Sequence, residues 1–421
     1  MGAEELAQMD LLRFATAGSV DDGKSTLIGR LLLDSKSIFE DQLEAVEATS
    51  VSKGYDYTDL ALLTDGLRSE REQGITIDVA YRYFATPTRK FIIADTPGHV
   101  QYTRNMVTGA STADLGLVLV DARQGLTEQS RRHAVLLSML RVPHLVLAIN
   151  KMDLVDYDQA TYNAIYKEFT NFATKLSIPD LTIIPISALQ GDNVVTRSEN
   201  MSWYSGPTLM HHLEHVHVAS DRDLVDTRFP VQYVIRPKSD DFHDYRGYAG
   251  QIAGGVLKPG DEVVVLPSGM TTKIAGIDLF DKELDEAYPP MSVTVRLEDD
   301  VDVSRGDMIA RVKNAPQPSQ DIDAMVCWMT NEPLRPRQKL AIKHTTRMGR
   351  ALVKDVQYRL DVNTLHRDQG AGELGLNEIG RVQLRTTVPL LCDPYNKNRT
   401  TGSFILIDEA TGVTVGAGMI N

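Results

Sequence analysis

Short apolar runs alternate with helix-length segments through the first half of the chain. The runs stand at Phe91–Ala94, Leu115–Val120, Leu145–Ile149 and Leu181–Ile186. They are apolar throughout, which is typical of strands that are buried on both faces of a parallel sheet. Between them lie helical patterns such as STLIGRLLL (25–33), whose apolar side chains share one face. We therefore predict an α/β domain with a doubly wound, mostly parallel sheet.

The pattern changes after residue 228, where short strand-like runs are separated by turns rich in glycine and proline. One turn, Lys258-Pro259-Gly260-Asp261, combines a proline that fixes φ with a glycine that accepts positive φ. The segment 314–321, NAPQPSQD, has the composition of a linker, and strand-like runs resume after it. Two small β-barrels are therefore predicted after the α/β domain. The predicted domains are 1–217, 218–315 and 316–421.

Composition narrows the class of protein further. The chain has 421 residues, a net charge of −13 and two cysteines, Cys327 and Cys392. This acidity disfavours sequence-independent nucleic-acid binding, and two cysteines are too few for a disulfide framework. The N-terminus lacks the features of a signal peptide, and no apolar run reaches the ~18 residues of a membrane span. We expect a soluble cytoplasmic protein with reduced thiols that binds neither membranes nor nucleic acid.

A phosphate-binding loop follows the first apolar segment, LLRFATA. Gly18, Gly23, Lys24 and Ser25 match the pattern GxxxxGK[ST] between a predicted strand and a predicted helix. The glycines permit a tight turn whose N–H groups point at phosphate oxygens, Lys24 reaches the β- and γ-phosphates, and the Ser25 hydroxyl is a ligand for Mg²⁺. The residues predicted to bind the nucleotide here are Gly18, Ser19, Val20, Asp21, Asp22, Gly23, Lys24, Ser25 and Thr26.

The sequence Asp95-Thr96-Pro97-Gly98 follows the run FIIA. A carboxylate at the end of a parallel strand lies on the ligand-binding edge of the sheet. We expect Asp95 to hold Mg²⁺ there through a water molecule. The N–H of Gly98 is expected to contact the γ-phosphate and to move when that phosphate leaves.

The tetrad Asn150-Lys151-Met152-Asp153 follows the predicted strand Leu145–Ile149 and indicates which nucleotide is bound. An ionised Asp153 only accepts hydrogen bonds, and guanine presents two adjacent donors where adenine presents an unprotonated nitrogen. We expect Asp153 to bind guanine, Lys151 to lie along the base and Asn150 to brace the loop. A backbone contact to the guanine carbonyl is expected at the end of the following strand, from Ser187, Ala188 and Leu189.

Two further residues are candidates for catalysis. Thr76, in the segment GITID, is a candidate second Mg²⁺ ligand on a loop that closes over the γ-phosphate. His99 follows Gly98 directly and can position the attacking water or stabilise charge in the transition state. The predicted catalytic residues are His99, Lys24 and Thr76, and the predicted Mg²⁺ ligands are Ser25, Thr76 and Asp95.

A histidine cluster, HHLEHVH, is interpreted as a helix surface. His211 and His215 have the i, i+4 spacing of metal ligands, but the segment is not HExxH and no additional ligand pattern stands beside it.

The order of these motifs, together with GITI and DTPGH, resembles GTPases of the translation-factor class, such as elongation factor Tu and elongation factor 1-alpha. This resemblance implies a cycle of GTP and GDP, the switch role of Thr76, the catalytic role of His99 and an apolar pair, Val20 and Ile75, that flanks the histidine. Nearly the whole chain is also similar to the GTP-binding large subunits of bacterial sulfate adenylyltransferase. The stretches that carry this similarity include SVDDGKST, DVAYRYF, FPVQYVIRP and VGAGMI.

The second resemblance implies that GTP hydrolysis drives formation of adenosine 5′-phosphosulfate and pyrophosphate from ATP and sulfate. It also implies a heteromer in which a smaller, ATP-pyrophosphatase-type subunit carries out the adenylyl transfer. Some family members carry a fused adenylylsulfate kinase, which would require a second P-loop, and none occurs before Asn421. Two other hypotheses stay open: a translation-type GTPase that delivers aminoacyl-tRNA, and an enzyme that adenylates sulfate by itself.

Overall fold

The computed structural model places the chain in two compact units, Met1–Val218 and Ala219–Asn421. The residues that it describes are 10–36, 44, 46, 49–50, 58, 60–63, 78–98, 103–218, 223–237, 245–280, 282–362 and 364–421.

A six-stranded sheet forms the centre of the first unit, in the order β2-β3-β1-β4-β5-β6. Its strands are β1 (Leu11–Ala17), β2 (Ala80–Ala85), β3 (Lys90–Asp95), β4 (Leu115–Asp121), β5 (His144–Asn150) and β6 (Asp180–Pro185). The edge strand β2 runs antiparallel to β3, and the other neighbours are parallel. The four predicted strands are confirmed as β3 to β6, and the predicted mostly parallel sheet is confirmed with one antiparallel edge.

Five α-helices of the described residues accompany this sheet. They are α1 (Lys24–Asp34), α2 (Thr103–Ala110), α3 (Glu128–Met139), α4 (Gln159–Ala173) and α5 (Leu209–His215). Thr127, Asp158 and Thr208 cap α3, α4 and α5 by accepting hydrogen bonds from N–H groups of the first turn. Helix α1 begins differently, after Gly23 in the left-handed conformation and with no capping side chain. Its first N–H groups are therefore available to an anion, which a phosphate-binding helix requires.

The core of the first unit lies between the sheet and its helices. Strand β4 is buried along its whole length. A side chain in place of Gly116 would put its Cβ 2.7 Å from Leu137 Cδ1, so α3 packs closely against β4 at this point. This close packing connects the position of α3 to the centre of the sheet.

The second unit contains two closed six-stranded barrels. Strand pairing closes the first as β10-β12-β8-β7-β13-β9 and the second as β15-β19-β20-β14-β18-β16. The strands of the first barrel are β7 (Arg228–Ile235), β8 (Gly247–Gln251), β9 (Glu262–Leu266), β10 (Met270–Leu279), β12 (Ser292–Leu297) and β13 (Met308–Arg311), with β11 (Lys282–Glu283) extending it beside β10. Those of the second are β14 (Ser319–Trp328), β15 (Lys339–His344), β16 (Arg347–Leu360), β18 (Ile379–Leu390), β19 (Ser403–Ile407) and β20 (Thr414–Ile420), with β17 (Arg367–Asp368) extending it beside β16.

Separate apolar cores fill the two barrels, around Tyr248 in the first and Trp328 in the second. The two predicted barrels are therefore confirmed. The boundary predicted between 315 and 316 falls between β13 and β14, inside one compact unit. The division of the chain into three domains stays a prediction.

A buried ion pair ties the two barrels together. Arg228 of β7 donates from Nε and from Nη2 to the two carboxylate oxygens of Asp393, each at 2.8 Å. Both side chains are buried, and Thr401 Oγ1 donates to the same carboxylate at 2.7 Å. Burial acts to raise the pKa of Asp393, but the hydrogen bonds from Arg228 and Thr401 hold that pKa below its ordinary value.

Candidate nucleotide-binding site

The predicted binding motifs meet at one edge of the first unit's sheet. Strands β1, β3, β5 and β6 are parallel in the relevant pairings, so their carboxyl ends lie on the same side. The phosphate loop follows β1, Asp95 ends β3, Asn150 ends β5 and Ser187 follows β6. This is the edge at which open α/β sheets bind ligands.

The phosphate loop is closed by its own backbone. Asp21 and Gly23 have φ of 69° and 89°, which lets the chain turn back before α1. The Ser19 N–H donates to the buried Asp22 carboxylate at 2.5 Å. Burial raises the pKa of Asp22, although this hydrogen bond opposes the shift. Asp22 therefore has a structural role inside the loop that the phosphate-loop pattern alone does not predict.

The Lys24 ammonium lies in the middle of the loop. It donates to Gly18 O at 2.9 Å and to Ser19 O at 3.0 Å, and the side chain is only 7% exposed. Burial lowers the pKa of Lys24, and the carboxylate of Asp95 opposes this shift. A Cβ added at Gly98 would lie 2.5 Å from Lys24 Nζ, so the Gly98 backbone and the ammonium face each other directly.

The other predicted phosphate-end and metal-binding residues surround Lys24. Asp95 is buried and accepts a hydrogen bond from Thr16 Oγ1 at 3.2 Å. Ser25 and Thr26 are half-buried in the first turn of α1, and Val20 is 38% exposed. The structure thus brings every described member of the predicted phosphate end together. Thr76, His99 and Ile75 lie outside the described residues, and their roles stay predictions.

Asn150 connects the phosphate loop to the loop after β6. Its Nδ2 donates to Asp22 O at 2.8 Å, and its Oδ1 accepts from Ala188 N at 2.9 Å. A Cβ at Gly23 would lie 2.5 Å from Asn150 Nδ2, which explains a glycine at this position. The sequence predicts that Asn150 braces the loop, and the contacts show which two segments it joins.

The residues predicted to bind the base, Lys151 and Asp153, lie next to this bridge. Lys151 donates to Asp21 O and forms an ion pair with Asp121 at 3.1 Å. Asp153 is half-buried on a short 3-10 helix, Met152–Val155, whose Met152 N–H donates to Ile186 O at 3.2 Å. The tetrad is thereby fixed to the end of β6.

Asp121 is a residue of this site that the sequence analysis did not identify. It is buried at the end of β4 and accepts from Arg123 Nη2 at 2.6 Å. Burial acts to raise the pKa of Asp121, but hydrogen bonds from Arg123 and Lys151 hold it at about 2. Its carboxylate is therefore ionised at neutral pH and fixes the Lys151 ammonium. The sequence does contain a signal for Asp121, because this residue ends an apolar run just as Asp95 and Asn150 do.

Ser19 of the phosphate loop contacts the start of helix α3. Ser19 Oγ lies 3.0 Å from Thr127 Oγ1, and Thr127 is the residue that caps α3. Farther along α3, His133 is buried, and burial together with the charges of Lys24 and Arg132 lowers its pKa to about 3. Its imidazole is therefore neutral at physiological pH.

The geometry of this edge fits a nucleotide with a bound Mg²⁺. The buried Lys24 cation is hydrogen-bonded to carbonyl oxygens and is placed to meet anionic phosphates. A side chain at Gly98 would fill the space beside this ammonium. The predicted Mg²⁺ ligands Ser25 and Asp95 carry side-chain oxygen atoms, the ligand type that Mg²⁺ prefers.

Other expectations concern residues away from this edge. The rings of His211 and His215 stack at 4.2 Å on α5, and no cluster of three or more His, Cys, Asp or Glu side chains among the described residues is placed to hold a metal. Cys327 and Cys392 are free thiols. Within the described ranges, none of the helices is long and apolar enough to cross a membrane.

The fold and this site define a P-loop GTPase of the translation-factor class. The family model described as the elongation factor Tu GTP binding domain matches residues 9–227, and the model described as GTP-eEF1A C-terminal domain-like matches residues 321–421. A solved structure of Sup35 with GDP is 22% identical to this chain, and the match covers 100% of this chain and 96% of that one, with a TM-score of 0.44.

Curated relatives give a narrower assignment. The chain is 54% identical over 415 residues to sulfate adenylyltransferase subunit 1 of Bacteroides fragilis, covering 98% of this chain and 86% of the relative. It is 65% identical over 411 residues to the bifunctional enzyme CysN/CysC of Mycobacterium tuberculosis, covering 97% of this chain and 67% of that protein. The chain belongs to the family of sulfate adenylyltransferase subunit 1.

Proposed function

We propose that this chain binds and hydrolyses GTP and that hydrolysis drives sulfate activation on a smaller partner subunit. In that reaction ATP and sulfate give adenosine 5′-phosphosulfate and pyrophosphate. The observation that carries the proposal is the direct link from the phosphate loop through Asn150 to the base-binding loops, in a chain of this family. Phosphate and base recognition are parts of one connected site.

The phosphate end works through backbone N–H groups at the start of α1 and through the Lys24 ammonium. These groups stabilise charge on the β- and γ-phosphates without large rearrangement, because they are already held in place. Mg²⁺ would be held by Ser25, Asp95 and Thr76. When bound, it would neutralise negative charge on the β- and γ-phosphates. His99 would orient the attacking water from the segment after Gly98.

The base end selects guanine through charge and hydrogen-bond direction. Asp153 accepts from the two adjacent donors of guanine, and adenine would place a lone pair against the carboxylate. Lys151 is fixed by Asp121 and by Asp21 O, so its alkyl chain has a defined position beside the base.

The coupling to sulfate activation requires that the GTP and GDP states interact differently with the partner. The test is reconstitution of both subunits with ATP and sulfate, with GTP turnover and adenosine 5′-phosphosulfate formation measured in parallel. We expect each activity to depend on the other. Formation of adenosine 5′-phosphosulfate at an unchanged rate and extent without GTP would contradict the coupling, and GTP-dependent retention of aminoacyl-tRNA would favour the translation-type function.

Asp153→Asn tests the guanine assignment. Its amide replaces one acceptor oxygen with a donor, so GDP affinity is expected to fall by roughly 1.5–3 kcal/mol, the range for hydrogen bonds to charged groups. The measurement is calorimetric titration with GDP and with xanthosine diphosphate, whose 2-oxo group suits the Asn amide. The expected result is a reversed preference, and unchanged GDP affinity would show that Asp153 does not bind the base.

A further inference from the structure

We propose that Arg30 is a positioning residue that sets the contact to the guanine carbonyl by holding the loop Ser187-Ala188-Leu189. This inference rests on the proposed guanine-nucleotide function and adds a specificity determinant that lies outside the predicted binding motifs. Arg30 stands in the second turn of α1, whose first turn carries Lys24 and Ser25. It therefore belongs to the phosphate-binding helix while its side chain acts on the base-binding loop.

The contacts of Arg30 reach two consecutive carbonyl groups. Its Nε donates to Ala188 O at 3.2 Å, and its Nη2 donates to Leu189 O. Nη1 lies 3.6 Å from Asp34 Oδ1, one turn farther along α1, and the Arg30 side chain is 20% exposed. A planar guanidinium can hold two carbonyls and a carboxylate at once, which a lysine ammonium on a flexible chain cannot do with the same geometry.

The loop is held from its other side by Asn150. Asn150 Oδ1 accepts from Ala188 N, whereas Arg30 binds Ala188 O, so the two peptide groups around Ala188 are both fixed. Ser187 O accepts from Gly191 N at 2.8 Å, and Gly191 has a φ of 87°, which closes the loop into a turn. The hydrogen bond to Ala188 O fixes the peptide plane between Ala188 and Leu189, and it thereby orients the N–H of Leu189. The hydrogen bond to Leu189 O fixes the next peptide plane. Arg30 thereby determines the direction of the backbone N–H groups of this loop.

From this arrangement we predict which atom of the base the loop contacts. The loop is expected to contact the guanine 6-oxygen, whereas Asp153 contacts the ring N–H and the exocyclic amine. Two analogues separate these contacts. 6-Thio-GDP replaces the oxygen at position 6 with a larger and weaker acceptor, and inosine diphosphate lacks only the exocyclic amine.

The experiment measures affinities of the intact chain for GDP, 6-thio-GDP and inosine diphosphate by competition with a fluorescent GDP analogue. For the wild type we expect a preference for GDP over 6-thio-GDP of about tenfold, the value of one good hydrogen bond. In Arg30→Ala, GDP binding is expected to weaken about tenfold and the preference over 6-thio-GDP to fall to about twofold. The preference over inosine diphosphate is expected to stay unchanged, because Asp153 is not held by Arg30.

Three controls separate positioning from a general loss of structure. Arg132→Ala removes another largely buried arginine that pairs with a carboxylate one turn away, Glu128, and should leave all three affinities as in the wild type. Asp34→Asn removes the ion pair between Asp34 and Arg30 but leaves the hydrogen bonds of Arg30 to the loop. It should shift the affinities less than twofold. Arg30→Lys should restore the GDP affinity only partly and leave the 6-thio preference low.

The outcomes distinguish this proposal from the proposed function. If the wild type does not bind GDP, the guanine-nucleotide function itself is wrong. If the wild type binds GDP and Arg30→Ala lowers the affinities for all three nucleotides by the same factor, or by none, the positioning role of Arg30 is wrong while the function stands.

Discussion

The phosphate loop and the junction between the barrels each bury a cation, but they satisfy it in different ways. Lys24 is 7% exposed and donates to two backbone carbonyl oxygens. Arg228 is 2% exposed and binds both oxygens of Asp393. A carbonyl carries no net charge, so the hydrogen bonds of Lys24 do not neutralise its cation, whereas the cation of Arg228 is neutralised by a hydrogen-bonded carboxylate.

The pKa directions agree with this difference. Burial lowers the pKa of Lys24, which means that the folded protein disfavours its charged form. Asp393 has a lowered pKa despite burial, because Arg228 and Thr401 stabilise its ionised form. The comparison indicates that a buried charge serves binding where its environment destabilises it and serves folding where a partner neutralises it.

The largest expected effect comes from Arg228→Met. Removing one partner of a buried ion pair leaves Asp393 unpaired, which typically costs about 3–5 kcal/mol of unfolding free energy. The measurement is urea unfolding followed by the fluorescence of Trp328, which lies in the core of the second barrel, in a Trp203→Phe background. GDP affinity should not change.

Arg385→Met is the matched control, since Arg385 pairs with Asp321 on an exposed surface of the same unit. Its cost should stay below about 1 kcal/mol. Equal losses of stability in the two variants would show that burial of the Arg228 pair has no special weight.

Lys24→Ala should affect GDP affinity rather than stability, the opposite of Arg228→Met. The loss of a charge-assisted contact to the β-phosphate is expected to weaken GDP binding by about 100-fold, close to 2.7 kcal/mol. The melting temperature should stay the same or rise, because a cation that the fold disfavours has been removed. Titration calorimetry and thermal unfolding check both parts, with the exposed Lys167→Ala as control. A large fall in melting temperature together with retained GDP binding would show that Lys24 stabilises the fold and does not bind the nucleotide.

A smaller effect concerns pH and His133. The folded imidazole has a pKa of about 3, whereas an unfolded one titrates near 6.5, so the unfolded state binds more protons below pH 6.5. Stability of the first unit should therefore decrease as the pH falls, by about 2 kcal/mol at pH 5 from this group alone. The measurement is urea unfolding at pH 7.5 and 5.0 followed by helical circular dichroism, because the described α-helices all lie in the first unit.

His133→Gln removes this titration, so its stability should depend less steeply on pH than that of the wild type. Stability curves that run parallel between pH 7.5 and 5.0 would show that His133 is not buried in its neutral form.

The strands and motifs of the first unit could be predicted because they depend on local patterns. An apolar run buried on both faces is visible in the sequence, and β3 to β6 lie where such runs stand. The antiparallel edge strand β2 carries no comparable run, and its direction depends on pairing with β3. Asp121 ends an apolar run, so its place at the sheet edge was open to prediction, but its ion pair with the distant Lys151 was not. The role of Arg30 was not predicted because its partners, Ala188 and Leu189, are distant in the chain.

The sequence by itself determined the class of fold, the phosphate loop and the preference for guanine, because each depends on residue types at short, fixed spacings. Only the tertiary structure decided which charges meet. It placed Arg228 against Asp393, 165 positions apart, and Arg30 against the loop after β6, 158 positions away. Contacts between distant segments depend on how strands pair and barrels close, and no local spacing in the sequence records them.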